Sequence, residues 1–313
     1  MNLVSLEDEN RMKFSLSTVA LFKHVHSGEA FEPSPSQLAA LQDVLVQILQ
    51  DIDMFCSANH IQYFLGGGSA LGAVRCQGMI PWDDDIDINM PRLDYERFIQ
   101  VFPKQMGSKY WLHTPQSTKG YALQLTRIRL KGTSVKTRED FLNPDECGAF
   151  IDIFIIENIP DNLLMRWIHG TISMGLGFLL SCRKFFRERS YLKPIVAENP
   201  DLRIPYYFKT VLGFFTALFP IETWVRANDR WNGLYKSKKT QYTTVPAGRN
   251  HYWKEILKQS DLFPEKRMAF HGSSKPVYQH VQQYLLQLYG DDYMTPPSRE
   301  NMESHVFFRP FNL

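Results

Sequence analysis

The segment that most constrains the fold runs from Gly66 to Phe98, where a glycine-rich turn precedes a run of aspartates. Asp85 and Asp87 alternate with isoleucines, which is the period-two pattern of a strand with one buried face. The two carboxylates then point to the same side, roughly 7 Å apart over two residue rises. Like charges so close to an apolar core repel each other, and this predicts a cation partner.

A divalent cation would resolve this conflict. Mg²⁺ (or Mn²⁺) typically binds one or two carboxylates together with phosphate oxygens of a substrate. The alternative is a solvated acidic turn, since most aspartate runs are of that kind. The alternation of acids with isoleucines favours the metal site, with Asp83 at the start of the same acidic run.

The glycine turn supports a phosphate ligand. Gly66, Gly67 and Gly68 let the backbone approach a ligand closely, and Ser69 opens a helical turn whose free N–H groups favour an anion. Arg75 is placed to add a charge-assisted contact to phosphate. A glycine turn alone is common, but shortly before a D-x-D strand it indicates a phosphate cradle that faces a metal site.

Two further strands contribute candidate residues. Asp152 is the lone acid in "AFIDIFII", so it is expected either to serve a metal or as general base, or to pair with a core arginine or lysine. In "TRIRLKG", Arg127, Arg129 and Lys131 share one face of a strand. They either bind phosphate or form the charged face of an exposed edge strand.

Hydrophobic periodicity predicts a mixed α/β (α+β) fold in three parts. Residues 1–35 form an N-terminal arm, residues 36–160 a sheet core, and residues 161–313 a helical part packed on that core. A long amphipathic helix is expected from Ser36 as its N-cap. In the helical part, two apolar helices are expected on either side of a proline-rich stretch at 194–205.

Charge and cysteine content exclude some classes of partner and compartment. The net charge of +2 gives no global basis for binding nucleic acid. The four cysteines are scattered without a C-x-x-C pair, which favours a reducing compartment over a disulfide framework or a zinc site. We expect a cytoplasmic protein. The basic segment "RKFFRER" beside the apolar helices allows peripheral contact with the inner membrane face, and the alternative is that these helices form the core of the second half.

The segment "FLGGGSALGAVRCQGMIPWDDDIDINMPRLDYERF" resembles the LicD family, which includes bacterial phosphocholine transferases and, more distantly, fukutin and fukutin-related protein. The resemblance continues more loosely through "GAFIDIFIIENIP" and "YLLQLYGDDYMTPPSRENMESH". It implies a nucleotidyltransferase-like core that transfers a phospho-alcohol, such as phosphocholine or ribitol phosphate. The implied donor is CDP-activated (CDP-choline or CDP-ribitol), and the implied acceptor is a sugar hydroxyl of a glycan or lipid-linked glycan, as in lipopolysaccharide or teichoic acid.

The resemblance also implies site residues by position. The glycine–hydroxyl turn, the metal-binding acids and the acid of the later strand match Gly67, Gly68, Ser69, Asp85, Asp87 and Asp152. Asp83 or Asp152 would then orient or deprotonate the acceptor hydroxyl. His271 stands where relatives tend to carry an acid, and His305 matches a recurring C-terminal histidine.

Two other functions stay open on the sequence. The same residues would suit nucleotidyl transfer from an NTP with release of pyrophosphate. A non-catalytic binding protein on a decayed transferase core is the third possibility, against which the intact acids and glycine turn argue.

Overall fold

The computed structural model describes residues 30–137, 140, 144–298, 302 and 305–313. The first 29 residues of the expected N-terminal arm therefore lie outside the described residues. The strands are β1 (Ala30–Phe31), β2 (Phe64–Leu65), β3 (Asp87–Pro91), β4 (Tyr110–His113), β5 (Thr126–Leu130), β6 (Ser134–Thr137), β7 (Phe150–Ile159), β8 (Tyr242–Thr244), β9 (Leu257–Lys258), β10 (Lys266–Phe270), β11 (Ser273–Val277) and β12 (Phe307–Asn312). The α-helices are α1 (Pro35–Ala58), α2 (Gly67–Cys76), α3 (Arg92–Met106), α4 (Leu163–Glu198), α5 (Arg203–Thr216), α6 (Ile221–Asn232), α7 (His251–Lys254), α8 (Gln259–Leu262) and α9 (Val281–Tyr289).

The central sheet is mixed, and the predicted α/β class is confirmed. Its strand order is β2-β3-β7-β5-β4, with β8 added at the far end of β7 and β9 beside β8. Strands β3 and β7 are parallel, and the remaining pairs are antiparallel. Strand β5 lies between β7 and β4 and is an interior strand. The interpretation of its arginines as the charged face of an exposed edge is therefore wrong.

One face of this sheet packs against the hydrophobic core. The isoleucines that alternate with the charged residues of β3, β5 and β7 are buried there with apolar residues of α1 and α3. The rings of Phe55 in α1 and Phe98 in α3 meet edge to face, 5.4 Å apart. Because side chains alternate along a strand, the charged residues all lie on the opposite face.

Helix α1 begins slightly earlier than the sequence predicts. Ser34, not Ser36, is the N-cap, and its side chain accepts a hydrogen bond from the Gln37 N–H at 3.3 Å. The Gln37 side chain accepts in return from the Ser34 N–H, which completes a capping box. Pro35 occupies the first helical position, where its missing N–H costs nothing.

The predicted apolar helices after residue 161 are present, with their breaks placed differently, and the same part of the chain also contains strands β8 to β12. Helix α4 continues through Pro194 to Glu198, so the expected proline-rich separator shrinks to a 3₁₀ turn at Pro200–Leu202. The second apolar segment is divided in two, since α5 ends at Thr216 and α6 begins at Ile221.

Two smaller sheets were not expected from the sequence. Strands β10 and β11 form a hairpin, and β12 pairs with both β1 and β6. Through the β12 pairing the C-terminus returns to the catalytic half of the chain.

Candidate active site

Three charged residues stand in register across adjacent strands. Asp87 on β3 pairs with Asp152 on β7, and Asp152 pairs with Arg127 on β5. Arg127 Nε lies 2.6 Å from Asp152 Oδ1, and Arg127 Nη2 lies 2.7 Å from Oδ2. Both side chains are buried, and the guanidinium lies 3.7 Å from the centre of the Phe150 ring. The ion pair with a core arginine, one of the two alternatives for Asp152, is thus present. Its use as a metal ligand or base stays a prediction.

Within the aspartate run, Asp83 and Asp87 form no ion pair with another described residue. Burial, followed by the charges of Asp85 and Asp84, raises the pKa of Asp83 well above its usual range. Burial and the charges of Asp85 and Asp152 do the same to the pKa of Asp87. The pKa of Asp85 rises to about 6, mainly through burial, although His305 opposes the shift. The cluster therefore holds more negative charge than the protein neutralises.

Asp84 connects this cluster to the C-terminus. Its Oδ2 accepts a hydrogen bond from the His305 N–H at 2.7 Å, and its Oδ1 lies 2.8 Å from His305 Nδ1. Burial disfavours the histidine charge, but Asp84 and then Asp85 outweigh it and raise the pKa of His305 to about 10. Among the described residues, ligand atoms of Asp84, Asp85 and His305 lie within 4.8 Å of one another, close enough to share a metal ion. The aspartate run gives no sign of this pairing because the partners are 221 residues apart.

The glycine turn lies directly against the acids. A Cβ atom on Gly68 would lie 2.8 Å from Asp83 Oδ2, and one on Gly67 would lie 3.2 Å from Asp87 Oδ2. Gly67 also has φ +43°, a conformation that side chains disfavour. The Ser69 hydroxyl accepts a hydrogen bond from the Asp87 N–H at 2.9 Å, so this side chain fixes the start of β3.

Tyrosines from the end of the chain complete the support of this turn. The Gly67 N–H donates to the Tyr284 hydroxyl at 2.9 Å. The Asn89 amide donates to the Tyr278 hydroxyl at 2.8 Å. All three polar side chains are buried. Sequence reasoning missed them because nothing in the sequence around these residues indicates contacts between segments 189 and 217 residues apart.

Both arginines of β5 are buried in ion pairs. Arg129 pairs with Asp140 and donates to the Gly148 carbonyl at 3.1 Å, and its Nε has no hydrogen-bond partner among the described residues. Within the described part of the chain, Arg127 Nη1 and the hydroxyl of its neighbour Tyr121 are buried without a hydrogen-bond partner. Buried donors left unpaired cost about 1–3 kcal/mol each, so they mark a place for an acceptor group.

Arg75 and His271 lie at the C-terminal end of α2, Arg75 in its last turn and His271 against the loop that follows it. Arg75 lies seven residues after Gly68, on the same face of α2, and two of its guanidinium nitrogens have no partner among the described residues. His271 Nε2 accepts a hydrogen bond from the Met79 N–H at 2.9 Å, which holds the loop before the aspartate run. His271 therefore has a structural contact within the chain.

Comparison with known proteins agrees with this geometry. Residues 60–162, which include the turn, the aspartate run and Asp152, match the model described as LicD/FKTN/FKRP, nucleotidyltransferase domain. Over 278 residues the chain is 26% identical to a Haemophilus influenzae protein named lipopolysaccharide cholinephosphotransferase LicD, covering 85% of this chain and 94% of the relative. An uncharacterized protein of Rickettsia typhi is 43% identical over 65 residues, 20% of this chain and 21% of its own length. Residues 60–162 are thus similar to the nucleotidyltransferase domain of the LicD family, and the similarity to the Haemophilus protein extends over most of the chain.

Proposed function

We propose that the protein transfers a phospho-alcohol, with phosphocholine as the first candidate, from a CDP-activated donor to a sugar hydroxyl of a cell-surface glycan. The observation that carries the proposal is the contact between the glycine turn and the acids, with Gly68 against Asp83 and Gly67 against Asp87. The similarity to a protein named lipopolysaccharide cholinephosphotransferase, over 85% of this chain, supports the choice of phospho-alcohol.

The acidic cluster fits a divalent cation. The pKa values of Asp83 and Asp87 are raised by burial and by their neighbours, which means that the site lacks positive charge. Carboxylate oxygens are the ligands that Mg²⁺ prefers. Asp85 and Asp87 would hold the ion, with Asp152 as the predicted third ligand. When bound, Mg²⁺ would neutralise charge on the donor diphosphate.

Other residues of the site would bind the phosphates of the donor. The N–H groups of Gly68 and Ser69 lie in the first turn of α2, where helical N–H groups lack an intrahelical carbonyl and favour phosphate oxygens. Arg75, and the unpaired Nη1 of Arg127, would donate further hydrogen bonds to the phosphates.

Asp83 is our candidate for the general base. Both oxygens of Asp152 accept hydrogen bonds from Arg127, whereas Asp83 has no described arginine or lysine beside it. Asp83 would accept the proton of the sugar hydroxyl as that oxygen forms a bond to the phosphorus of the transferred group. The bond from this phosphorus to CMP breaks, and CMP leaves with its electron pair.

The test is product analysis with a glycan acceptor that lacks phosphocholine. Purified protein would be incubated with Mg²⁺ and CDP-choline, CDP-ribitol or CDP-glycerol, and both CMP release and acceptor mass would be measured. We expect CMP and an acceptor that carries phosphocholine. An acceptor carrying CMP, with pyrophosphate released from CTP, would instead establish nucleotidyl transfer. Donor binding without any turnover would indicate a non-catalytic protein.

A further inference from the structure

Helix α5 turns its apolar side outward. Ile204 and Leu218, at the two ends of this face, are 81% and 82% exposed. We call this face, on α5 and the turn after it, the apolar stripe: Ile204, Tyr207, Val211, Phe214, Phe215 and Leu218. Meanwhile Lys209 is fully buried on the inner side, where its Nζ donates to the Ser181 hydroxyl at 2.9 Å. A helix on the surface of a soluble domain has the reverse arrangement.

Helix α4, which packs against α5, is also unusually apolar on its exposed side. Among the described residues it is the one continuous helix that is long and apolar enough to cross a membrane. Helix α5 and the segment Ile221–Tyr235 reach that length and apolarity only together, and the two are bent by 92° at the break between them. Only 22% of the 18-residue apolar stretch of α4 is buried inside the protein, whereas the core helix of a soluble protein is mostly buried. Trp167 and Leu164 are among its exposed side chains.

The other face of α4 belongs to the folded protein. His169 Nδ1 lies 2.8 Å from the Tyr252 hydroxyl, and the Ser173 hydroxyl donates to the Asn232 side chain at 2.6 Å. A helix with one polar, protein-bound face and one apolar, open face suits the plane of a membrane surface rather than a path across it.

Arginines border the apolar stripe. Arg189 lies 4.3 Å from the centre of the Phe186 ring, which in turn lies 5.9 Å from the Phe214 ring. Arg183 Nε donates to the Phe219 carbonyl at 3.3 Å, just beyond the other end of the stripe. Arginine at the edge of an aromatic surface places its charge at the depth of lipid phosphates while its stem stays in apolar contact. This charge favours an anionic lipid surface as the occupant over an uncharged apolar partner.

We propose that the apolar stripe docks in the plane of an anionic membrane, with its aromatic and aliphatic side chains among the acyl chains and the bordering arginines at the headgroups. This binding does not depend on the proposed chemistry. It would nevertheless place the candidate site near the bilayer. Helices α4 and α6 hold the loop that carries Tyr121, the neighbour of Arg127 in that site. Arg187 donates to the Gly120 carbonyl at 2.7 Å, and the Gly120 N–H donates to Glu222 at 2.8 Å.

The test is co-flotation of the full chain with phosphatidylcholine vesicles that contain or lack phosphatidylglycerol. We expect the protein to float with the anionic vesicles and to bind neutral ones more weakly. The stripe variant Val211→Ser/Phe215→Ser/Leu218→Ser should lower the partition coefficient by more than about tenfold, because three apolar side chains leave the acyl region. These residues are exposed, so the fold should survive, as circular dichroism and melting would show.

The matched control is Met54→Ser/Leu93→Ser/Met294→Ser, which removes three similarly exposed apolar side chains elsewhere and should float like the unchanged protein. Asp87→Asn should also float normally, which separates membrane binding from the proposed function. Three results would overturn the proposal. The unchanged protein could stay at the bottom with anionic vesicles, or the stripe variant could float equally well. Third, the unchanged protein could be a dimer in the absence of vesicles while the stripe variant is a monomer, which would show that a second copy covers the stripe.

Discussion

At the scale of single residues, two aspartates in register on neighbouring strands have opposite surroundings. Asp152 is neutralised by a two-point ion pair with Arg127. Asp87, its neighbour across the sheet, forms no ion pair with another described residue, and burial followed by the charges of Asp85 and Asp152 raises its pKa. The first arrangement stabilises the fold, whereas the second leaves charge that a ligand can neutralise.

Asp87→Asn should therefore separate activity from stability. We expect turnover to fall by at least about 100-fold, since charge stabilisation by a bound metal is worth several kcal/mol. Without Mg²⁺ the melting temperature should stay level or rise, because removing one carboxylate relieves repulsion. Stabilisation by added Mg²⁺ should be lost. Asp43→Asn, on the exposed side of α1, is the control. Near-normal activity of Asp87→Asn at limiting Mg²⁺ would refute the metal assignment.

The buried ion pair gives a second prediction. Arg127→Leu or Asp152→Leu alone should lower the free energy of unfolding by about 3–5 kcal/mol, since each leaves one buried charge without a partner. The double variant should recover much of that loss, which urea unfolding of all four proteins measures. The control is Lys236→Met, which removes an exposed partner of Glu96 and should cost less than about 1 kcal/mol. If the losses simply add, the two charges do not interact as the distances indicate.

At the scale of elements, the strand–turn–helix unit formed by β2 and α2 presents backbone rather than side chains to the acids. The space is tight at Gly68, whose added Cβ would lie 2.8 Å from Asp83 Oδ2. By contrast, Gly175 in α4 is exposed and has no atom within 4 Å of an added Cβ. These two helical glycines therefore differ in the space that surrounds them.

Gly68→Ala should lower turnover sharply, because the Asp83 carboxylate must move away from the turn. The fold should be kept, since a side-chain shift of Asp83 suffices. Gly175→Ala should leave turnover unchanged and add up to about 1 kcal/mol of stability, since alanine loses less backbone entropy in a helix. Steady-state rates and urea unfolding measure both effects. Equal activity of the two variants would contradict a role for the close approach of turn and acid.

At the scale of the whole molecule, the C-terminus closes the site. Strand β12 pairs with β6, and His305 just before it pairs with Asp84. Tyr284 on α9 accepts from the Gly67 N–H. The glycine turn and the aspartate run are therefore fixed by residues near the C-terminus, which follow α4, α5 and α6 in the chain.

This closure predicts a pH-dependent contribution of His305 to stability. Its folded-state pKa is raised to about 10, above the ordinary value of about 6.5 for the unfolded chain. The stabilisation is therefore complete below about pH 6.5 and is lost as the pH rises towards 10. Compared with His305→Gln, the unchanged protein should be more stable at pH 6, and the difference should shrink at pH 9 to 10. Urea unfolding at several pH values tests this, and a difference independent of pH would exclude a charged His305.

The sequence by itself determined the local chemistry. The alternation of aspartates with isoleucines predicted a strand that begins at Asp85, and the structure forms its later part, β3, from Asp87 with Ile88 buried. The glycines before it predicted the turn. The mixed α/β class and the helical second half also followed from periodicity, because amphipathic patterns report which side of an element is buried.

Only the tertiary structure decided which charges meet. Whether Asp152 binds a metal or pairs with an arginine depends on the register of β5 against β7. The sequence of either strand alone cannot specify that register. The contacts of Asp84 with His305 and of Gly67 with Tyr284 join segments more than 200 residues apart. The exposure of the apolar face of α5 could not be predicted from the sequence either. An apolar helical pattern is the same whether its apolar side contacts a core or a membrane. What distinguishes the two cases is burial, which arises only when the whole chain has folded.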